Sequence, residues 1–297
     1  MALFQTLKYI YTHPLNSKDK LGSISNFFRW QLSSRLLGYP VIYPFVGNTF
    51  LFMKKGLAGA TGNLYCGLHE FEDMAFTIHL LRQGDQFVDI GANIGSFSIL
   101  ASGVAGANTL AIEPVPATYQ ILNKNIAING LTDKAKTLNI AIGNEVSEVK
   151  FTSDLDTVNH IVSEKETSIA NFITVPLKPL DSVVSKMPVL MKIDVEGFEA
   201  NVLKGAESVL SNPTLSALII ELNGSGEKYG FSDLDLHKSI LERGFLPYIY
   251  HPFERRLEEI GTPNIHFVGN IIYIRDLAFV TNRIKTAPQF IVKGQAV

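Results

Sequence analysis

The strongest constraint on this chain is a rhythm that begins at Phe87. Short apolar runs alternate with stretches of helical spacing: FVDI then 96–104, TLAIE then 117–128, a strand over 136–142, VLMKID then 199–210, and a strand over 217–222 then a helix over 234–242. Such alternation predicts an α/β domain, a mostly parallel sheet with helices on both faces. The last two strand runs, 245–250 and 266–274, leave no room for a crossover helix between them. One antiparallel strand closing the sheet is therefore expected. Residues 145–178 read as a less regular insert with strand candidates at 148–152 and 172–177. Upstream, two β-rich runs around Gly47-Asn48 predict a hairpin. A glycine-rich link is expected over 56–67, then a helix over 69–81 ended by Gly84-Asp85. This divides the chain into an extension over 1–67, a main domain over 68–280 and a tail over 281–297.

Composition narrows the class. At 297 residues the chain can bury a core without metal or disulfide staples. With 46% apolar and 18% charged residues it is not a disordered protein. A net charge of −2 gives no global reason to bind nucleic acid. A lone cysteine, Cys66, excludes an internal disulfide and a cysteine-built zinc cluster, and fits a reducing compartment. No apolar run approaches the ~20 residues of a membrane span, and the first ten residues lack a secretory pattern. A cytoplasmic protein is expected. Residues 1–37 stand apart: five basic residues face one acid, Asp19, and alternate with Phe4, Tyr9, Tyr11, Phe27, Phe28 and Trp30. They read either as helices packed on the domain or as a peripheral contact with an anionic membrane.

The sharpest local signal is Phe87-Val88-Asp89-Ile90-Gly91-Ala92-Asn93-Ile94-Gly95. A buried strand ends in an acid, and a glycine turn opens a helix whose free N–H groups suit a ligand. A dinucleotide loop would read G-x-G-x-x-G, but Asn93 stands where that pattern needs glycine. Glu113 ends the next strand, where a carboxylate can accept both hydroxyls of a ribose. A ligand-free turn and a solvated acid are the plain alternatives.

FVDIGANIGSFSILAS, AIEPVPATYQILNKNIAING, VPLKPLDSVV and VLMKIDVEGFEANVLKGAESVL together resemble the FkbM-like family of S-adenosylmethionine-dependent methyltransferases, over about residues 68–275. The resemblance implies a class I, Rossmann-like methyltransferase fold: seven strands in order 3-2-1-4-5-7-6 with strand 7 antiparallel. It also implies that Asp89 and the loop Gly91, Asn93 and Gly95 hold the methionine part of S-adenosyl-L-methionine, and that Glu113 holds its ribose. Residues 139–143 would lie near the adenine, with any polar contact from backbone or Asn144. Either Glu70 or Glu72 would face the ammonium; Glu72 is taken forward as the expected residue.

Asp194 ends the fourth strand, on the edge where ligands bind in open α/β sheets. Glu196 follows, and period-two alternation lets Lys192 pair with Asp194. Helix capping is the alternative role for 194–197. Asp194 and Glu196 are the expected catalytic acids, with His160, in a polar loop of the insert, as a further base. His69, His251 and His266 are weaker candidates. Asp194, Glu221 and Asn223 would suit Mg²⁺, an option left open beside a metal-free site. The reading is O-methylation of a hydroxyl on a carbohydrate, glycoconjugate or secondary metabolite, that is, a small-molecule or glycan acceptor. An NAD(P)-dependent oxidoreductase and a non-catalytic interaction module are the alternatives.

Overall fold

In the computed structural model, residues 2–152, 160–162, 172–261 and 268–297 are described. The chain opens with α1 (Ala2–Thr12) and α2 (Lys20–Leu36). Asp19 caps α2, its carboxylate accepting from the Gly22 N–H at 2.9 Å. The hairpin follows as β1 (Val41–Pro44) and β2 (Phe50–Met53), antiparallel. The glycine-rich stretch expected as a link is instead a helix, α3 (Ala58–Cys66). Glycine weakens a helix by up to ~1 kcal/mol, but here it has a steric use: a Cβ at Gly62 would lie 2.6 Å from the His69 ring. Next comes α4 (Phe71–Leu80), which buries Phe71, Met74, Phe76 and Ile78.

The main domain begins with β3 (Gln86–Ile90), then α5 (Ser96–Ile99), whose helix runs on as a π-helical turn, Leu100–Val104. β4 (Asn108–Ile112), α6 (Pro116–Ile128) and β5 (Ala135–Leu138) follow. The strand expected over 136–142 breaks at Asn139, whose side-chain amide donates to the carbonyls of Glu113 and Pro114, both at 2.8 Å. Beyond the break, β6 (Ala141–Ile142), β7 (Ser147–Thr152) and β8 (Phe172–Lys178) form a separate sheet in the order β6-β8-β7. β9 (Leu190–Ile193) returns to the main sheet. The helix expected over 199–210 splits into α7 (Glu199–Lys204) and α8 (Glu207–Ser211) at Gly205, where a Cβ would meet the Gly143 carbonyl at 1.9 Å. Then come β10 (Ala217–Leu222), α9 (Asp233–Glu242), β11 (Leu246–His251), β12 (Arg256–Glu259), β13 (Gly269–Ile274) and α10 (Leu277–Lys285). A small hairpin, β14 (Ile291–Val292) and β15 (Gln295–Ala296), ends the chain. Its Lys293 donates to the Tyr65 carbonyl at 2.9 Å and the Ser23 hydroxyl at 2.8 Å, which ties the tail to the N-terminal helices.

The main sheet runs β5-β4-β3-β9-β10-β13-β11-β12. β3, β4, β5, β9 and β10 pair in parallel, and β13 is antiparallel to both its neighbours. With the edge strand β12 left out and the other seven counted along the chain, the order is 3-2-1-4-5-7-6 with the seventh, β13, reversed, which is the class I methyltransferase sheet. β12 adds an eighth, edge strand. Its sequence, RLEE, is almost wholly exposed and gives no apolar pattern to read. Both faces of the sheet are covered. Phe87, Leu190 and Ile219 face one core, and Val88, Met191 and Leu218 the other. That two-sided burial is why these strands read as continuous apolar runs. Among the described residues no helix is long and apolar enough to cross a membrane.

Candidate active site

The site lies at the C-terminal edge of the parallel strands. β3 ends at Ile90, and Gly91 turns the chain with φ +79°; a Cβ there would meet the Asp194 carbonyl at 1.8 Å. Only glycine fits this approach. Asn93 also sits at positive φ, 50°, a conformation asparagine tolerates, and its side-chain oxygen accepts from Ile94 N–H at 2.7 Å. This departure from G-x-G-x-x-G is a working part of the loop. The Asn93 N–H donates to Glu113 Oε2 and the Val115 N–H to Glu113 Oε1, both at 2.9 Å. Glu113 is thereby fixed at the cavity wall, and burial raises its pKa to about 7. Asp89 is buried, accepts from the Ser98 hydroxyl at 2.6 Å, and is shifted upward by burial. Gly95, φ +89°, opens α5 where a Cβ would strike Leu122 at 2.5 Å.

These residues bound a cavity of ≈ 310 Å³. Asp89, Gly91, Asn93 and Glu113 line one end, and Ile140, Ala141, Ile142, Phe151 and Ile161 form an apolar wall. Two expected contacts fall outside it. Asn144 is exposed, because the Gly143 N–H bonds the Lys178 carbonyl at 3.1 Å as the chain leaves β6. Glu72 is exposed and borders the larger chamber described below, whereas Glu70, just ahead of α4, lines this cavity. Burial raises the Glu70 pKa.

The other end carries the densest charge. Lys192, 3% exposed, bonds Asp194 at 2.5 Å. Burial alone would lower its pKa, but Asp194, Glu70 and Asp89 outweigh that and raise it. Glu196 lines the cavity from a positive φ of 54°, a strained value for glutamate. Burial and the nearby Asp194 raise its pKa. Glu221 Oε2 is buried without a hydrogen-bond partner, and burial with Asp194 and Glu196 holds its carboxyl well above the usual range. One carboxylate oxygen from each of Asp194, Glu196 and Glu221 lies within 4.8 Å of the others. This is the set that could hold a hard cation. Asn223 does not join it: it is exposed and its side-chain oxygen accepts from Ser225 N–H at 2.9 Å. Asp194 is not the helix cap: the N-cap of α7 is Phe198, with no side-chain capping bond, and Glu199 instead accepts from the Val195 and Gly197 N–H groups of the preceding turn at 3.2 and 3.1 Å.

His160 lies beside the cavity wall rather than in it. Its N–H donates to the Thr152 hydroxyl at 2.9 Å, and its charge favours the ionised form of Glu196. His251 bonds Glu258 at 3.1 Å on the far edge of the sheet, and His266 lies outside the described residues. A second chamber of ≈ 500 Å³ opens on the other side of Asp194 and Glu221, walled by Tyr9, His13, His69, Asp73 and Asn270. The Asn270 amide donates to Glu70 at 2.7 Å and Asp73 at 3.0 Å. Burial, then Glu70, raises Asp73 to about 7. Sequence reading missed this chamber, whose walls come from both ends of the chain and carry no shared motif.

The sequence profile of the methyltransferase FkbM domain matches residues 89–247, more than half of the chain. The chain belongs to the FkbM methyltransferase family. The matched segment holds Asp89, the glycine loop, Glu113, Asp194, Glu196 and Glu221. The nicotinamide reading of the loop ends there. Methyltransferase sdnD of Sordaria araneosa is 29% identical over 171 residues, covering 46% of this chain and 66% of that protein. A ribosomal protein L11 methyltransferase of Syntrophomonas wolfei is 26% identical over 159 residues, covering 50% of this chain and 48% of that protein. Among solved structures, an FkbM methyltransferase from Methylobacillus flagellatus is 18% identical with a TM-score of 0.46, covering 84% of this chain and 59% of that one. The chain thus spans less than two thirds of the length of these relatives.

Proposed function

We propose that this FkbM domain binds S-adenosyl-L-methionine in the smaller cavity and methylates a hydroxyl oxygen of a carbohydrate, glycoconjugate or secondary metabolite. The residues fit the cofactor. Glu113 is pinned by two backbone N–H groups and keeps lone pairs for the ribose hydroxyls. Asp89, Glu70 and the Gly91 loop suit the charged methionine end, and the apolar wall at 140–142 suits a purine. When bound, the cofactor supplies a methyl group already activated on a sulfonium.

What remains for the chain is to align the acceptor and take its proton. The observation that carries this reading is the group Asp194, Glu196 and Glu221: all three line the smaller cavity, and Asp194 and Glu221 also line the larger chamber. The Lys192 ammonium occupies Asp194, which suits Asp194 to orienting the acceptor. Glu196 and Glu221, with raised proton affinity, suit the base, since a general base works best with a pKa near the operating pH. His160 favours the charged form of Glu196 from outside the cavity. The polar walls of the larger chamber suit a polyhydroxylated acceptor.

The test is mass spectrometry after the full chain is incubated with cofactor and extracted glycans, lipids and small metabolites. Gain of one methyl on oxygen of a hydroxylated product is expected. Methylation only of protein or nucleic acid would overturn the acceptor class. Repeating the assay with EDTA and with added Mg²⁺ separates a proton acceptor from a metal ligand.

A further inference from the structure

α2 is apolar on two opposite faces, and the protein covers only one of them. Ser23, Phe27 and Trp30 are buried. At about 100° per residue, Leu21, Phe28, Leu32 and Leu36 fall on the opposite side of the helix. They are 79%, 52%, 62% and 74% exposed. The stripe is roughly 22 Å long. An exposed apolar strip of this size marks a contact surface. Apolar surface continues past the helix at Tyr39 and Ile42, 79% and 58% exposed.

Charge decides what covers it. Arg29 and Arg35 are exposed and flank the stripe, about 120° apart around the helix. Lys20 stands 4.4 Å over the ring of Tyr11 on α1. Among the described residues, none of Lys8, Lys18, Lys20, Arg29 and Arg35 forms an ion pair. Residues 1–37 carry a net +4, while the whole chain carries −2, so the rest carries −6. The molecule is polarised, with its positive pole on its uncovered apolar helix.

We infer that α2 lays its outer face on an anionic membrane surface. Leucine and phenylalanine enter the acyl boundary, and Arg29 and Arg35 bind lipid phosphates on either side of the stripe. α1, which packs on α2, also supplies Tyr9 and Thr12 to the larger chamber, and His13 follows directly after it. Docking would therefore bring a wall of that chamber close to the lipid headgroups. This inference stands whether or not the proposed acceptor is correct.

The test is cosedimentation of the full chain with vesicles of phosphatidylcholine alone and of phosphatidylcholine with phosphatidylglycerol. Binding to the anionic vesicles only is expected, weakening as salt rises. Arg29→Gln with Arg35→Gln should lower the partition coefficient roughly tenfold or more, and Phe28→Ser with Leu32→Ser at least tenfold. Both pairs alter exposed residues, so thermal melts should match the parent; Lys238→Gln, on α9, should change nothing. No vesicle binding, equal binding to neutral vesicles, or binding that survives both pairs would overturn the inference. So would sedimentation showing a dimer that these substitutions dissolve, since the face would then belong to a second copy.

Discussion

At the ends of β3 and β4, both oxygens of Glu113 accept backbone N–H groups and Asp89 has the Ser98 hydroxyl. At the ends of β9 and β10, three carboxylates crowd within 4.8 Å, one with an unpaired oxygen, around a single buried lysine. The first arrangement is satisfied by the fold itself. The second is held under tension, because burial, and after it the crowding by Asp194, raises the proton affinity of Glu196 and Glu221. A binding site gains from the first kind of construction and proton-transfer chemistry from the second. Lys192 joins them, since its charge acts on Asp89 and on Asp194.

Removing that joint should have the largest effect. Lys192→Met leaves Asp194, Glu70 and Asp89 uncompensated around a buried methionine. Breaking a buried pair in this way costs about 3–5 kcal/mol, which urea unfolding of the apoprotein would read. A variant as stable as the parent would mean that the two ends are independent.

Next in size is Asp194→Asn. It keeps shape and loses charge, and turnover on the true acceptor should fall about 100-fold. Full activity would make Asp194 a packing residue and leave the chemistry to Glu196 and Glu221.

A smaller effect concerns pH. Burial raises Glu113 and Glu199 from 4.5, and Asp73 from 3.8, to about 7 in the folded protein. Between those values the folded state binds more protons than the unfolded one. Stability from these groups is full below the unfolded pKa and is lost as pH rises through about 7. The contribution of these three groups to the urea midpoint of the apoprotein should therefore fall between about pH 4.5 and about 7; Glu221, raised by burial to about 9, extends the fall upward, while His13 and His79, lowered by burial to about 4, oppose it below about pH 6.5. Glu113→Gln should shrink that fall; an unchanged slope would show that Glu113 does not carry it. Smallest of all, Asn144→Ala and Glu72→Gln should leave cofactor affinity within about twofold, as exposed sites do.

The contrast between the two ends also explains what the sequence disclosed. The proposed cofactor end is local: Asp89, Gly91, Asn93, Gly95 and Glu113 lie within 25 residues, so strand, turn and acid can be read in one window. The parallel sheet was legible because burial on both faces writes continuous apolar runs. The proposed acceptor end is not local. Asn270 and Glu70 are 200 residues apart and Tyr9 is further still, and no spacing rule joins them. Glu70 and Glu72 stand on either side of the start of α4 at Phe71, and only that start decides which enters the smaller cavity. α3 was hidden because glycine there serves close packing against His69, which propensity cannot register.

Calorimetry with S-adenosylhomocysteine tests the division of labour most directly, on the parent, Glu113→Ala and Asp194→Asn. The parent should bind. Loss of the Glu113 contacts to the ribose should weaken binding about tenfold or more, while Asp194→Asn should bind nearly as the parent does. A parent that does not bind, or an Asp194→Asn variant that loses as much affinity as Glu113→Ala, would contradict the assignment of cofactor and acceptor to separate ends of the sheet.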